Sequence, residues 1–114
     1  MGNPVVHFEV YGRNQPALKE FYEKAFGWEI HVDPQMGYGM VHAGAEAGKG
    51  IDGGLGQGDP RVNFVIELPD LEKALTQIEE LGGKTVTPIT EMGEVSFAEF
   101  SDPEGNILGI VKSA

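Results

Sequence analysis

The sequence predicts an α+β fold in which two tandem βαβββ modules, residues 1–58 and 59–114, form a curved mixed sheet around a concave cleft. Short runs of alternating apolar and polar residues read as strands, and two stretches with apolar residues at i, i+3, i+4 and i+7 read as amphipathic helices. The halves also superpose at an offset of 56 residues, pairing Val6 with Val62, Phe8 with Phe64, Glu23 with Glu79, Gly27 with Gly83, Met36 with Met92, Gly37 with Gly93, Ile51 with Ile107 and Gly53 with Gly109. These identities fall at helix stops, turns and matching strand faces, the positions a duplicated unit keeps for backbone reasons. A single ferredoxin-like βαββαβ unit with decorated loops is the rival topology and needs fewer strands.

From the N-terminus, Val5 to Tyr11 alternates Val6, Phe8 and Val10 with His7, Glu9 and Tyr11, which predicts a strand with one apolar and one polar face. Asn14 is placed to cap a helix with Pro16 in its first turn, Leu18, Phe21, Tyr22 and Ala25 form its apolar stripe, and Gly27 stops it. Trp28 to Val32 and Gly39 to Ala43 are short strands separated by Asp33-Pro34 and Gly37, and Gly50 to Gly56 is a weak glycine-rich strand. In the second half, Arg61 to Leu68 sets Val62, Phe64, Ile66 and Leu68 against Asn63, Val65 and Glu67. Asp70 caps a helix carrying Leu71, Ala74, Leu75 and Ile78, and Gly82-Gly83 ends it. Lys84 to Ile89, Glu94 to Phe100 and Asn106 to Val111 complete the strands.

Each helix covers one face of its sheet, so Val6, Phe8, Val10, Val62, Phe64, Ile66 and Leu68 are expected beneath the helices. His7, Glu9 and Tyr11, with Asn63, Val65 and Glu67, are left on the opposite face as the lining of a pocket with a few directed polar groups.

Eight Lys+Arg against eighteen Asp+Glu give a formal charge of −10, which repels nucleic acid and anionic membrane and favours a cationic or neutral small molecule. Cysteine is absent, so no disulfide, thiolate nucleophile or Cys-zinc cluster can form. With no apolar run approaching the roughly 20 residues of a membrane span and no signal-peptide pattern, a cytoplasmic location is expected.

The spacing from His7 to Phe21-Tyr22, the Phe26-Gly27-Trp28 element, Leu81-Gly82-Gly83 and Asp102-Pro103-Glu104-Gly105-Asn106 together resemble the vicinal oxygen chelate superfamily of glyoxalases, bleomycin-resistance proteins and dioxygenases. The resemblance spans essentially the whole chain. It implies paired βαβββ modules, often completed by a homodimer, and in enzymatic members a divalent metal held from the first, fourth, fifth and eighth strands. The matching positions are His7, about Gly53, Asn63 and Gly109, of which only His7 is a strong ligand type. Glycine offers no side-chain donor and an Asn amide binds divalent transition metals poorly, so no metal and no other cofactor is expected.

Three functions are carried forward. The first is a metal-free small-molecule-binding protein of the bleomycin-resistance type, sequestering a cationic or aromatic compound through His7, Glu9, Tyr11, Asn63, Glu67 and Phe97. The second is a glyoxalase-type lyase, isomerase or dioxygenase with a divalent metal in a shifted site, His7 serving as ligand and Glu9 or Glu67 as ligand or catalytic acid–base. The third is a dimeric interaction module working through exposed strand edges. Trp28, Tyr38 and Phe97 suit either ligand stacking or core packing. His31 and His42 near strand ends have no sequence partner that suggests a nucleophilic triad.

Overall fold

Asn14 and Asp70 start the two helices as their side chains predict. The Asn14 carboxamide oxygen accepts the Ala17 amide at 3.2 Å and the Asp70 carboxylate accepts the Lys73 amide at 3.0 Å, each satisfying a donor that the first helical turn leaves open. Gly27 ends the first helix at φ +70°, a left-handed conformation that a Cβ disfavours, and donates its amide to Glu23.

The computed structural model describes residues 2–113. The order is β1 (Val5–Gly12), α1 (Gln15–Phe26), β2 (Glu29–Val32), β3 (Gly39–His42), β4 (Gly53–Gln57), β5 (Arg61–Leu68), α2 (Leu71–Glu80), β6 (Lys84–Met92), β7 (Val95–Ser101) and β8 (Ile107–Lys112). Each half is therefore βαβββ, and the class is α+β, as expected. No described helix is long and apolar enough to cross a membrane.

The chain forms two compact units, residues 7–62 and residues 2–6 with 63–113. In the first, the strands lie in the order β2-β3-β4-β1; β1 and β4 are parallel and the other pairs antiparallel. Ile30, Val41 and Leu55 form its buried centre, with Phe8, Val10, Leu18, Tyr22 and Trp28 packed around them. In the second, the order is β5-β8-β7-β6, again with one parallel pair, β5 and β8. Leu68, Leu71, Leu75, Ala98 and Ile110 form its centre.

The helical stripe of the first unit differs from expectation. Leu18 and Tyr22 face the core, but Phe21 is 58% exposed and Ala25 is also outside. The helix is turned by Gln15, which is buried and donates its side-chain amide to the Gly37 and Leu55 carbonyls at 2.8 Å each. The stripe that packs is thus 15/18/22, continued past the helix by Trp28, whose ring stacks on Tyr22 at 5.0 Å. A second correction concerns β5: Val62 is 72% exposed and Phe64 is exposed as well. The ten residues of α2 make a rod of about 15 Å, and its buried Leu71 and Leu75 lie over Leu68, Ala98 and Ile110 rather than over the start of the strand.

Candidate functional site

Strand register decides which side chains share a face. Phe8 pairs with Gly53, Glu9 with Gly54 and Tyr11 with Gly56 across β1 and β4, and Met40 pairs with Gly54 across β3 and β4. Paired residues on adjacent strands point the same way. The face of the first unit turned away from the helix therefore carries His7, Glu9 and Tyr11 from β1, Met40 and His42 from β3, and Glu29 and His31 from β2, while Gly54 and Gly56 keep β4 bare.

Two tyrosine rings use that bareness. A Cβ on Gly54 would land on the Tyr38 hydroxyl and ring, and one on Gly56 would strike the Tyr11 ring. Tyr38, just before β3, lies across Gly54 and donates its hydroxyl to Glu9 Oε2 at 2.7 Å, while Tyr11 donates to the same oxygen at 3.3 Å. His7 Nε2 lies 3.0 Å from the Tyr38 oxygen. The Arg61 guanidinium stands 4.5 Å from the centre of the Tyr11 ring, a cation–π contact.

Burial shapes the protonation of this cluster. It pushes the His7 imidazole below its usual value, against the pull of the Glu9 and Asp52 carboxylates. Burial also raises the Tyr38 phenol far out of reach, with the charge of Glu9 and the hydrogen bond to it acting in the same direction, so Tyr38 remains a neutral donor. The His7 shift has a consequence for stability. Between the usual histidine value of 6.5 and the lower folded one, the unfolded chain binds a proton that the native chain does not, so stability falls as pH drops through that window. Urea titrations at successive pH values from 7.5 to 5 are therefore expected, on the order of that window, to show a smaller acid loss for His7→Gln than for the parent chain. Equal losses would remove His7 as the cause.

A further group, unforeseen from the sequence, lies on the same face. The His31 and His42 rings stand edge to face at 5.7 Å, His31 Nε2 is 3.3 Å from Glu29, and His42 Nδ1 is 3.6 Å from Asp52. Asp52 Oδ1 also accepts the amides of Ala43, Gly44 and Ala45 at 3.0, 3.4 and 3.3 Å, and these bonds hold its carboxyl below the ordinary range.

In the second unit, Val65 pairs with Gly109 and Glu67 with Val111, while Phe97 pairs with Val111 and Glu99 with Gly109. Asn63, Val65, Glu67, Phe97 and Glu99 thus share one face. Asn63 and Val65 are buried on it, Phe97 and Glu67 half-buried. Glu99, which sequence reasoning passed over, accepts the Thr87 hydroxyl at 2.7 Å.

The register also moves one glycine. Gly53 sits on the helix side, where a Cβ would meet the Phe8 ring at 2.5 Å, so it cannot be the counterpart of Gly109, which shares a face with Val65. That counterpart is Gly54, 55 residues before Gly109 rather than 56, and a slip of one residue changes the face of a strand position. At the metal positions the resemblance implies, the first unit then offers His7, its Nε2 engaged by Tyr38, and Gly54, and the second unit offers Asn63 and Gly109. Two glycines and an amide do not fit a divalent metal, and among the described residues no group of three or more His, Asp or Glu is arranged to hold one.

A sequence profile described as Glyoxalase/Bleomycin resistance protein/Dioxygenase superfamily matches residues 5–110. No curated protein matches the chain significantly. Among solved structures, a hypothetical protein from Bacillus halodurans C-125 is similar with a TM-score of 0.72 at 11% identity, covering 100% of this chain and 96% of its own. A glyoxalase/bleomycin resistance protein/dioxygenase superfamily member from Vibrio splendidus 12B01 is similar at 0.70 and 16% identity, covering 98% and 100%. A methylmalonyl-CoA epimerase from Streptomyces coelicolor is similar at 0.66 and 14% identity, covering 98% of both chains. At such identities these likenesses concern the fold alone.

Proposed function

The chain belongs to the Glyoxalase/Bleomycin resistance protein/Dioxygenase superfamily, and from that premise we propose that it is a metal-independent small-molecule-binding member taking a cationic or aromatic compound. The observation that carries this reading is the Tyr38 hydroxyl lying against His7 Nε2 and Glu9 across the bare Gly54. The phenol there meets the imidazole Nε2 through a hydrogen bond and is itself held by the Glu9 carboxylate, so that nitrogen is engaged without a cation. The aromatic faces of Tyr11 and Tyr38 are suited to a planar or cationic ligand, and the charge of −10 draws cations toward the protein. On the second unit Asn63, Glu67 and Phe97 are assigned to ligand contact. A cytoplasmic homodimer accompanies this reading, supported by the cysteine-free composition and by the family's habit of assembling in pairs.

The test combines elemental analysis with thermal melting in the presence of Zn²⁺, Ni²⁺, Mn²⁺ or Fe²⁺, followed by a screen of cationic and aromatic compounds. No stoichiometric metal and no specific metal shift are expected, whereas a compound at a hundred times its Kd adds about 2.7 kcal/mol of stability. A stoichiometric metal whose melting shift disappears in His7→Ala would overturn the metal-free reading. A screen without a single stabilising compound would overturn the binding role and favour an interaction module.

A further inference from the structure

The hydrogen-bond directions around Tyr38 bear on what the site accepts, resting on the small-molecule reading above. A tyrosine hydroxyl has one hydrogen, and at Tyr38 it goes to Glu9 at 2.7 Å. The Tyr38 oxygen then faces His7 Nε2 at 3.0 Å with lone pairs only, so Nε2 must carry the hydrogen of that contact. In a neutral imidazole the other nitrogen is thereby an acceptor. Among the described residues no hydrogen bond reaches His7 Nδ1, which leaves its lone pair for a ligand.

We propose that the chain His7–Tyr38–Glu9 locks His7 as its Nε2–H tautomer and makes Nδ1 a hydrogen-bond acceptor, so that the site selects ligands bearing an N–H donor, primary ammonium compounds foremost. The charged surroundings fit this class. Glu9 and Asp52 both act on His7 as negative charges, Tyr38 stays a neutral donor, and the Arg61 guanidinium lies over the Tyr11 ring. Burial, which holds His7 neutral, keeps the lone pair available near pH 7. The role of Tyr38 is positional: it sets which imidazole nitrogen the ligand meets.

Two amines of equal charge and similar ring separate the possibilities. Benzylamine, protonated near neutral pH, carries N–H donors, whereas benzyltrimethylammonium has none. With the intact protein labelled with ¹⁵N in histidine, His7 is expected to show a protonated Nε2 and an unprotonated Nδ1. Benzylamine should shift the Nδ1 resonance and bind about tenfold more tightly than its trimethyl analogue, the loss expected when a buried acceptor goes unsatisfied. In Tyr38→Phe the ratio should shrink to within about threefold, because the tautomer is no longer held. An Nδ1–H tautomer in the parent protein, equal binding of the two amines, or an unchanged ratio in Tyr38→Phe would each overturn the proposal. Should a neutral or aromatic compound from the screen bind while neither amine does, the ammonium preference falls and the small-molecule reading stands.

Discussion

Replacing Ile110 with alanine is expected to lower stability by about 2–5 kcal/mol, the largest effect of any single truncation in the second unit. Ile110 has no exposed surface, and Leu68, Leu71, Leu75 and Ala98 are buried with it. Truncation removes the transfer free energy of three carbons and leaves a cavity whose walls come from β5, α2 and β7. Those strands are pinned by backbone pairing, and α2 by its cap at Asp70, so the walls cannot close fully around the void. Urea denaturation of the parent and variant provides the measurement, with an unchanged m-value showing that the native state is retained. The companion variant Phe21→Ala supplies the contrast. Phe21 is larger than Ile110 but 58% exposed, touching the edge of the Tyr22 ring, and its loss is expected to cost no more than about 1 kcal/mol. If Phe21→Ala proved as damaging as Ile110→Ala, the helix would have to pack on the stripe its sequence suggests rather than on the one described.

Gly54→Ala is expected to cost about 1–3 kcal/mol and to dismantle the polar cluster. The new methyl group lands on the Tyr38 hydroxyl, so Tyr38 must swing off the sheet and abandon both Glu9 and His7. Glycine in a strand interior is ordinarily a weakness relative to alanine, so the sign of this substitution is itself informative. A double-mutant cycle isolates the cause: in a Tyr38→Ala background the space over Gly54 is free, and most of the penalty should vanish. A penalty that persists in that background would place the clash elsewhere. The imidazole resonances of His7 give an independent readout, since they should move in Gly54→Ala as they do in Tyr38→Phe.

How far the sequence reaches is visible at particular residues. Asn14, Asp70 and Gly27 act through contacts within a few residues, and all three cap as their chemistry predicts. The alternation along β1 assigns His7, Glu9 and Tyr11 to one face, because successive strand side chains must point to opposite sides. The helical stripe is ambiguous in the sequence. Phe21 and Tyr22 are both aromatic at permitted spacings, and the choice between them follows from Gln15 anchoring the helix to carbonyls at Gly37 and Leu55. Gly53 against Gly54 is a finer case, since an offset of one residue between the halves is invisible in a glycine pair and yet reverses the face. Gly54-Leu55-Gly56 carries the signal in the sequence, two glycines two apart opposite Glu9 and Tyr11, which leaves room for rings from another strand.

The order of elements, the helix ends, the acidic charge and the absence of cysteine are properties of local chemistry and composition, and they survive whatever the chain packs against. The meeting of His7, Tyr38 and Glu9 belongs to another level. Tyr38 lies 31 residues from His7 and 29 from Glu9, with a helix and two turns between, and nothing in their spacing links them. Hydrogen-bond register across β1, β4 and β3 brings them within 3.0 and 2.7 Å, because backbone pairing, once formed, positions every side chain on the face to within a residue.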